Sequence, residues 1–378
     1  MRSLLFEITK DSLMNAVQHV IKAVAVNSPI PILQGINIQA RADGIIFTAC
    51  NTSMTIQSTS PQDGVSVNVQ RTGGVVIPSR YFYDIIRKLN DELIVLEIKE
   101  QLILTVMSGQ SQIRLCGMDS TEFPSINRGE QFFPNKLRIN NALFRSTIKQ
   151  VAIVASTSEN RPVLTGVLFE CDNNSLRLIA TDGVRLASRT LHIESNTNDS
   201  FNVIIPAKNL YEVSKMLGNE DETTEIEVSN NRVRFIVKGL EVESALIEGN
   251  FPSIKNVIPQ FYLCEILVDK ACLLTAVECV TVLASESIIR LVAGENKLKL
   301  LSRTAEIGDI ENEVPLLELN GEEFIISLNG KFFIDILRNS DCESVRIRYA
   351  GKTNPIVVFP NDSLMSTLFL ITPVRTHN

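Results

Sequence analysis

The 378-residue chain contains no tryptophan, three histidines and only 6% aromatic residues. So thin a histidine supply leaves little general-base chemistry, and His19, His192 and His377 stand apart from any serine or cysteine motif. Seven cysteines, at 50, 116, 171, 264, 272, 279 and 342, are scattered singly, odd in number and without a C-x-x-C pair. That spacing fits neither a zinc site nor a disulfide framework, and it predicts buried, reduced thiols. No Walker loop, GxGxxG, HExxH or GxSxG occurs, and acid pairs such as Glu220 and Asp221 lie in polar runs with nothing to raise a pKa. Nothing in the sequence proposes an enzyme, a cofactor or a metal. Long hydrophobic runs are missing too: the stretch over 91–106 is broken by charges within a few residues, so no membrane span is expected. No signal-type apolar segment follows Met1, and the expected compartment is the cytoplasm.

What the chain does contain is a repeat. Residues 201–217 (FNVIIPAKNLYEVSKML) have an earlier counterpart at 74–89 (GVVIPSRYFYDIIRKL) and a more worn one at 324–338 (FIISLNGKFFIDILR). Each reads as a β-rich apolar run, a breaker and a short amphipathic helix with basic residues on its polar side. Other landmarks recur at nearly the same interval. Residues 161–166 repeat 30–35 at an offset of 131, and the FPSI of 251–254 repeats that of 123–126 at 128. A helix expected over 11–25, capped by Asp11, has counterparts over 141–155 and 271–284. Three domains follow, 1–127, 128–256 and 257–378. Each is expected to hold two helices and about eight strands in two β-α-β-β-β halves, an α+β layer of helices on antiparallel sheet.

Net charge is −7, which by itself argues against a nucleic-acid partner. Its distribution argues otherwise. The expected helices carry ten basic residues, Lys22, Arg80, Arg87, Lys88, Arg145, Lys149, Lys208, Lys215, Lys331 and Arg338, against five acids, Asp11, Asp84, Glu212, Glu278 and Asp335. If these helices share a face, that face is basic within an acidic protein and suits a phosphate backbone without base readout. Lysine and arginine are also ordinary helix formers on solvated faces, so charge alone leaves both readings open. The acidic stretches 218–227 and 306–323 read as solvated loops and strand edges. The Asp-Gly of 182–183 reads as a turn rather than an active acid.

The repeat, the SENRPVLTG of 158–166, the ATDGVRL of 180–186 and the PVR of 373–375 converge on one family. Over essentially its whole length the chain resembles the bacterial sliding clamps, the β subunits of DNA polymerase III, and looks closest to the Gram-positive form. The resemblance implies three tandem clamp domains per subunit and a head-to-tail homodimer closing a ring around duplex DNA. It implies a processivity factor that tethers the DNA polymerase III alpha subunit, the clamp loader and repair proteins carrying clamp-binding motifs, with no membrane association, in the nucleoid-associated cytoplasm. By position, the partner-peptide groove would use Leu164, Thr181, Gly183, Arg185, Leu186, Pro252 and Val257, with Asn329, Phe332, Leu370, Pro373, Val374 and Arg375. DNA-facing residues would be Arg80, Arg161 and Lys208. The subunit interface would set Ile113 and Leu115 against Val282 and Leu283, four residues whose alternation equally fits an intramolecular core. The chain departs from the family pattern at Asn27, in place of a DNA-facing arginine, at Val184, in place of histidine, at Thr372, in place of an apolar residue, and in the added His377 and Asn378. These departures leave an alternative open: a divergent paralogue acting as a peptide-binding scaffold with weakened or absent DNA encirclement.

Overall fold

Each copy of the repeated unit folds as its pattern dictates, an apolar strand leading directly into a helix that lays one apolar stripe on the sheet. The computed structural model describes residues 3–99, 102–124, 133–195, 200–218, 221–304, 307–361 and 366–375. The expected division at 127/128, Ser125 and Ile126 of the first FPSI, the acids Glu220 and Glu306, and the tail residues His377 and Asn378 lie outside the described residues. The six helices among the described residues are α1 (Lys10–Val20), α2 (Ser79–Lys88), α3 (Asn141–Ala152), α4 (Ala207–Met216), α5 (Lys270–Thr281) and α6 (Gly330–Arg338).

In α1 the residues Leu13, Ala16, Val17 and Val20 are buried, the i, i+3, i+4, i+7 stripe read from the sequence. Its cap differs from expectation. Thr9, in extended conformation, accepts the Ser12 N–H through Oγ1 at 3.4 Å, while Asp11 already lies within the first turn, where its charge suits the helix dipole. The helix also stops short of residue 25. It tightens into a 3-10 turn at Ile21–Ala23, Val24 turns extended, and the Ala25 N–H bonds the Leu33 carbonyl at 3.1 Å. In α2, Phe82 and Ile86 point inward while Arg80 and Tyr81 are exposed. The worn copy has its own logic. Asn329 stands where the other copies have proline and caps α6, its Oδ1 accepting the Phe332 N–H at 3.2 Å. Gly330 follows because a Cβ there would lie 2.3 Å from Thr281 Oγ1 at the end of α5.

The chain forms two compact units, residues 1–141 with 215–246, and residues 142–214 with 247–378, which cut across the three-fold repeat. The first unit contains a five-stranded antiparallel sheet in the order Val67–Arg71, Leu4–Thr9, Leu93–Ile98, Ile103–Ser108, Ser111–Cys116. A second sheet of this unit crosses a repeat boundary, Leu240–Ala245 pairing with Met54–Pro61 in a register that sets Val242 opposite Ile56. The second unit is built on a twelve-stranded sheet that does the same. Arg185–His192 pairs with Thr367–Ile371, and Leu186 faces Leu370. Unbroken backbone pairing across a repeat boundary binds half of the middle repeat to each neighbour.

Two expectations are corrected here. The acidic stretch 218–227 is not all solvated: Thr223–Val228 is an interior strand, and Glu227 is 6% exposed. Its charge is met by Lys136 and by Arg234, which lies 3.3 Å away and also reaches Glu243 and Glu241 at 3.2 and 3.1 Å. The bond with Glu227 raises the Lys136 pKa. The thiols are also less uniformly buried than expected: Cys50, Cys171 and Cys264 are, but Cys116, Cys272 and Cys279 are exposed. Burial pushes the Cys50 thiol up to about 11, so that group is inert as a nucleophile.

Candidate partner-binding groove

The residues expected to line a groove come together in the second unit, where a tight turn, the start of α6 and the C-terminal strand meet. The turn follows the strand Ser175–Thr181. Asp182 Oδ1 accepts the N–H groups of Val184 and Arg185, both at 2.9 Å, an Asx arrangement that closes the reversal. Thr181 Oγ1 donates to the Arg185 carbonyl at 2.6 Å and accepts the Gly183 N–H at 3.1 Å. Gly183 takes φ +93°, and a Cβ there would meet nothing within 4 Å, so backbone conformation rather than space demands glycine.

Arg185 is the hub, its side chain 10% exposed. Nε donates to Asp182 Oδ2 at 3.0 Å, Nη1 to Asp335 Oδ2 of α6 at 2.8 Å, and Nη2 to the Ile153 carbonyl just beyond α3 at 3.1 Å. The guanidinium carbon also lies 4.2 Å from the centroid of the Phe332 ring, within cation–π range. One side chain therefore joins a strand, the exit of α3 and the first turns of α6. Lysine offers a point charge and no such fork.

Beneath this polar rim Leu168, Ile179, Leu186, Ile204, Ile254 and Leu370 form a buried cluster, with Val163, Ile247, Phe251, Ile258 and Leu368 packed on it half-exposed. Leu164, in the 3-10 turn Pro162–Thr165, is also buried. Pro252 and Val257 are exposed beside the cluster members Phe251 and Ile258. Beyond the last paired residue of the C-terminal strand, Thr372 bonds Val184 and the Val374 N–H donates to the Ser327 carbonyl at 2.8 Å, carrying Pro373 between them. Arg375 is exposed. The residues named from the sequence as groove residues all belong to this unit. The sequence reading missed Asp182 and Asp335, the two carboxylates that hold Arg185. Asp182 had been recognised only as a turn residue, and nothing in the sequence singles out Asp335 from other helix acids.

Elsewhere the structure separates the predicted residues. Arg80 is exposed on α2 of the first unit, whereas Arg161 and Lys208 are exposed in the second. Lys208 lines an open cleft of about 860 Å³ with Lys149, another of the ten basic helix residues, and with Tyr211, which was not foreseen. Ile113 and Leu115 are half-buried on Ser111–Cys116, the edge strand of the five-stranded sheet. Val282 is 78% exposed at the end of α5, and Leu283 beside it is half-buried. None of the four is a core residue.

Models of the DNA polymerase III beta subunit match in sequence along the chain, the N-terminal domain at 4–127, the central domain at 138–253 and the C-terminal domain at 255–373. The beta sliding clamp of Halalkalibacterium halodurans is 35% identical over 381 residues, covering 98% of this chain and all of that one. The solved sliding clamp of Bacillus subtilis superposes with a TM-score of 0.93 at 33% identity, and the DNA polymerase III beta chain of Streptococcus pneumoniae with 0.93 at 28%. Each alignment covers 99% of this chain and all of the other. Fold and matched domains thus define a three-domain clamp of α+β class. The chain belongs to the bacterial beta sliding clamp family, the beta subunits of DNA polymerase III.

Proposed function

We propose that this sliding clamp works as a head-to-tail homodimer of three-domain subunits, divided near 127 and 256, that encircles duplex DNA. It tethers polymerase and repair proteins by their peptides and does no chemistry of its own. The observation that carries the reading is a pair of sheet edges with open hydrogen-bonding groups. Among the described residues Ser111–Cys116 pairs only with Ile103–Ser108. The long strand Gly308–Gly321 pairs with Cys264–Asp269 only over its second half, so among the described residues 308–315 has one partner, Lys297–Thr304. Open edges invite pairing with another chain. Because these two belong to different units, a contact between them is heterologous and joins copies head to tail. Ile113 and Leu115 lie on the first edge. Leu283, next to the exposed Val282, is tied to the strand beside the second, where the Thr304 hydroxyl donates to its carbonyl.

The groove supports the tethering role, with an apolar floor for aliphatic or aromatic anchors and a rigid polar rim for orientation. Arg80, Arg161 and Lys208, all exposed, would meet phosphate oxygens, positioning the duplex without reading it. The alpha subunit of DNA polymerase III and the clamp loader are the partners this assignment implies, and the nucleoid the place. No described helix is long and apolar enough to cross a membrane. Retention on nicked circular DNA after loading tests the proposal. The clamp should stay on circles through gel filtration and run off once the circle is cut; equal loss from circles and linear duplex would overturn encirclement.

A further inference from the structure

We infer that Thr372 latches the C-terminal segment 372–375 to the turn before Arg185, so that this wall of the groove is assembled before a peptide arrives. The inference rests on the groove assignment above. The antiparallel ladder between Arg185–His192 and Thr367–Ile371 ends with Arg185 opposite Ile371. Thr372, one residue beyond, gives its N–H to the Val184 carbonyl at 3.0 Å and its hydroxyl to the same oxygen at 2.9 Å. A carbonyl oxygen has two lone pairs, so one acceptor holds both donors. The N–H bond merely continues the ladder and would form with any residue except proline. The hydroxyl bond is particular to this side chain.

Its position gives that second bond its role. Ladder ends fray, and Val184 is 43% exposed at the open lip of the groove. Pro373 comes next, without an N–H to give and with φ fixed. The Val374 N–H then binds the Ser327 carbonyl at 2.8 Å, on the strand that leads into the Asn329 cap of α6. Segment 372–375 therefore spans from the Asp182 turn to the base of α6, over the same gap that Arg185 crosses through Asp335. Val184 and Thr372, two separate departures in sequence, are direct partners in space. Thr372 is a positioning residue, acting through the Val184 turn. Where only the latched arrangement accepts a peptide, apparent affinity scales with its population.

The test compares wild type, Thr372→Val, which removes the hydroxyl at nearly constant shape, and Thr372→Ser, which restores it. A fluorescein-labelled hexapeptide with one leucine and one phenylalanine anchor is the probe, and amide hydrogen exchange is read at Thr372 and Val374. One hydrogen bond at a frayed ladder end should make exchange at both amides roughly threefold to tenfold faster in Thr372→Val. Peptide binding should weaken by a smaller factor, roughly twofold, through slower association, with Thr372→Ser close to wild type in both readouts. Unchanged exchange in Thr372→Val, or failure of Thr372→Ser to rescue, overturns the latch. Val257→Glu, at an exposed position, separates the two assignments. If wild type ignores the peptide, or Val257→Glu still binds it, the groove assignment falls and the latch with it. If Val257→Glu loses the peptide while Thr372→Val binds it like wild type, only the latch falls.

Discussion

Arg185 shows how one arginine can organise the candidate groove: its guanidinium gives its donors to two carboxylates and a carbonyl while its face covers Phe332. Replacing it with alanine strands the Asp182 and Asp335 carboxylates and uncovers the ring. Breaking a fully buried pair costs about 3–5 kcal/mol, and because Asp335 is 38% exposed the expected loss for Arg185→Ala is nearer 2 kcal/mol. Thermal unfolding should show the drop together with weaker peptide binding, and Arg185→Lys should recover little of either, since it lacks the fork. A lysine variant indistinguishable from wild type would mean that charge alone, not the guanidinium's three-way reach, holds the turn. Part of this arrangement was legible in the sequence: the Asp-Gly reversal from its residue types, and Leu186, Leu370, Asn329 and Phe332 as residues of one neighbourhood from the family resemblance. Asp335 was not, because an acid on a helix reads as one of many until the fold brings an arginine from 150 residues away.

Helices carry the next set of consequences. Their apolar stripes were readable because burial repeats every three to four residues, whereas their ends were not. Thr9 rather than Asp11 caps α1, since a cap depends on which side chain reaches an open N–H, a matter of a few degrees of backbone. His19, within α1, has its pKa lowered, first by burial and then by the Lys22 charge. The folded chain thus binds this proton less readily than the unfolded one. Stability from the neutral imidazole is complete above the ordinary value of 6.5 and declines as pH falls below it, toward the depressed folded value. Urea unfolding at pH 7.5 and 5.5 should show His19→Gln losing less stability than wild type between the two; equal losses would assign the acid sensitivity elsewhere. Lys208, exposed near the start of α4, is proposed to bear on DNA instead. If it meets one phosphate, Lys208→Ala should lower the slope of log affinity against log salt by about 0.9, equally for any duplex sequence. An unchanged slope would remove it from the DNA-facing set.

At the scale of the molecule, the three-fold repeat was plain in the sequence, because landmarks at one spacing require no knowledge of contacts. What the repeat concealed is that sheets run through its boundaries, at Val242 beside Ile56 and at Leu186 beside Leu370, so each compact unit joins parts of more than one repeat. Register between strands of different repeats is set by pairing partners that no local pattern names. Among the described residues the same pairing logic leaves Ser111–Cys116 and residues 308–315 each with an open edge, through which the proposed ring would close. Solution mass combined with small-angle scattering tests that claim most directly. The account predicts a species of twice the 42.0 kDa chain with the scattering of a hollow ring, reduced to monomer by Ile113→Asp. A compact 42.0 kDa monomer in the wild type at micromolar concentration would contradict it.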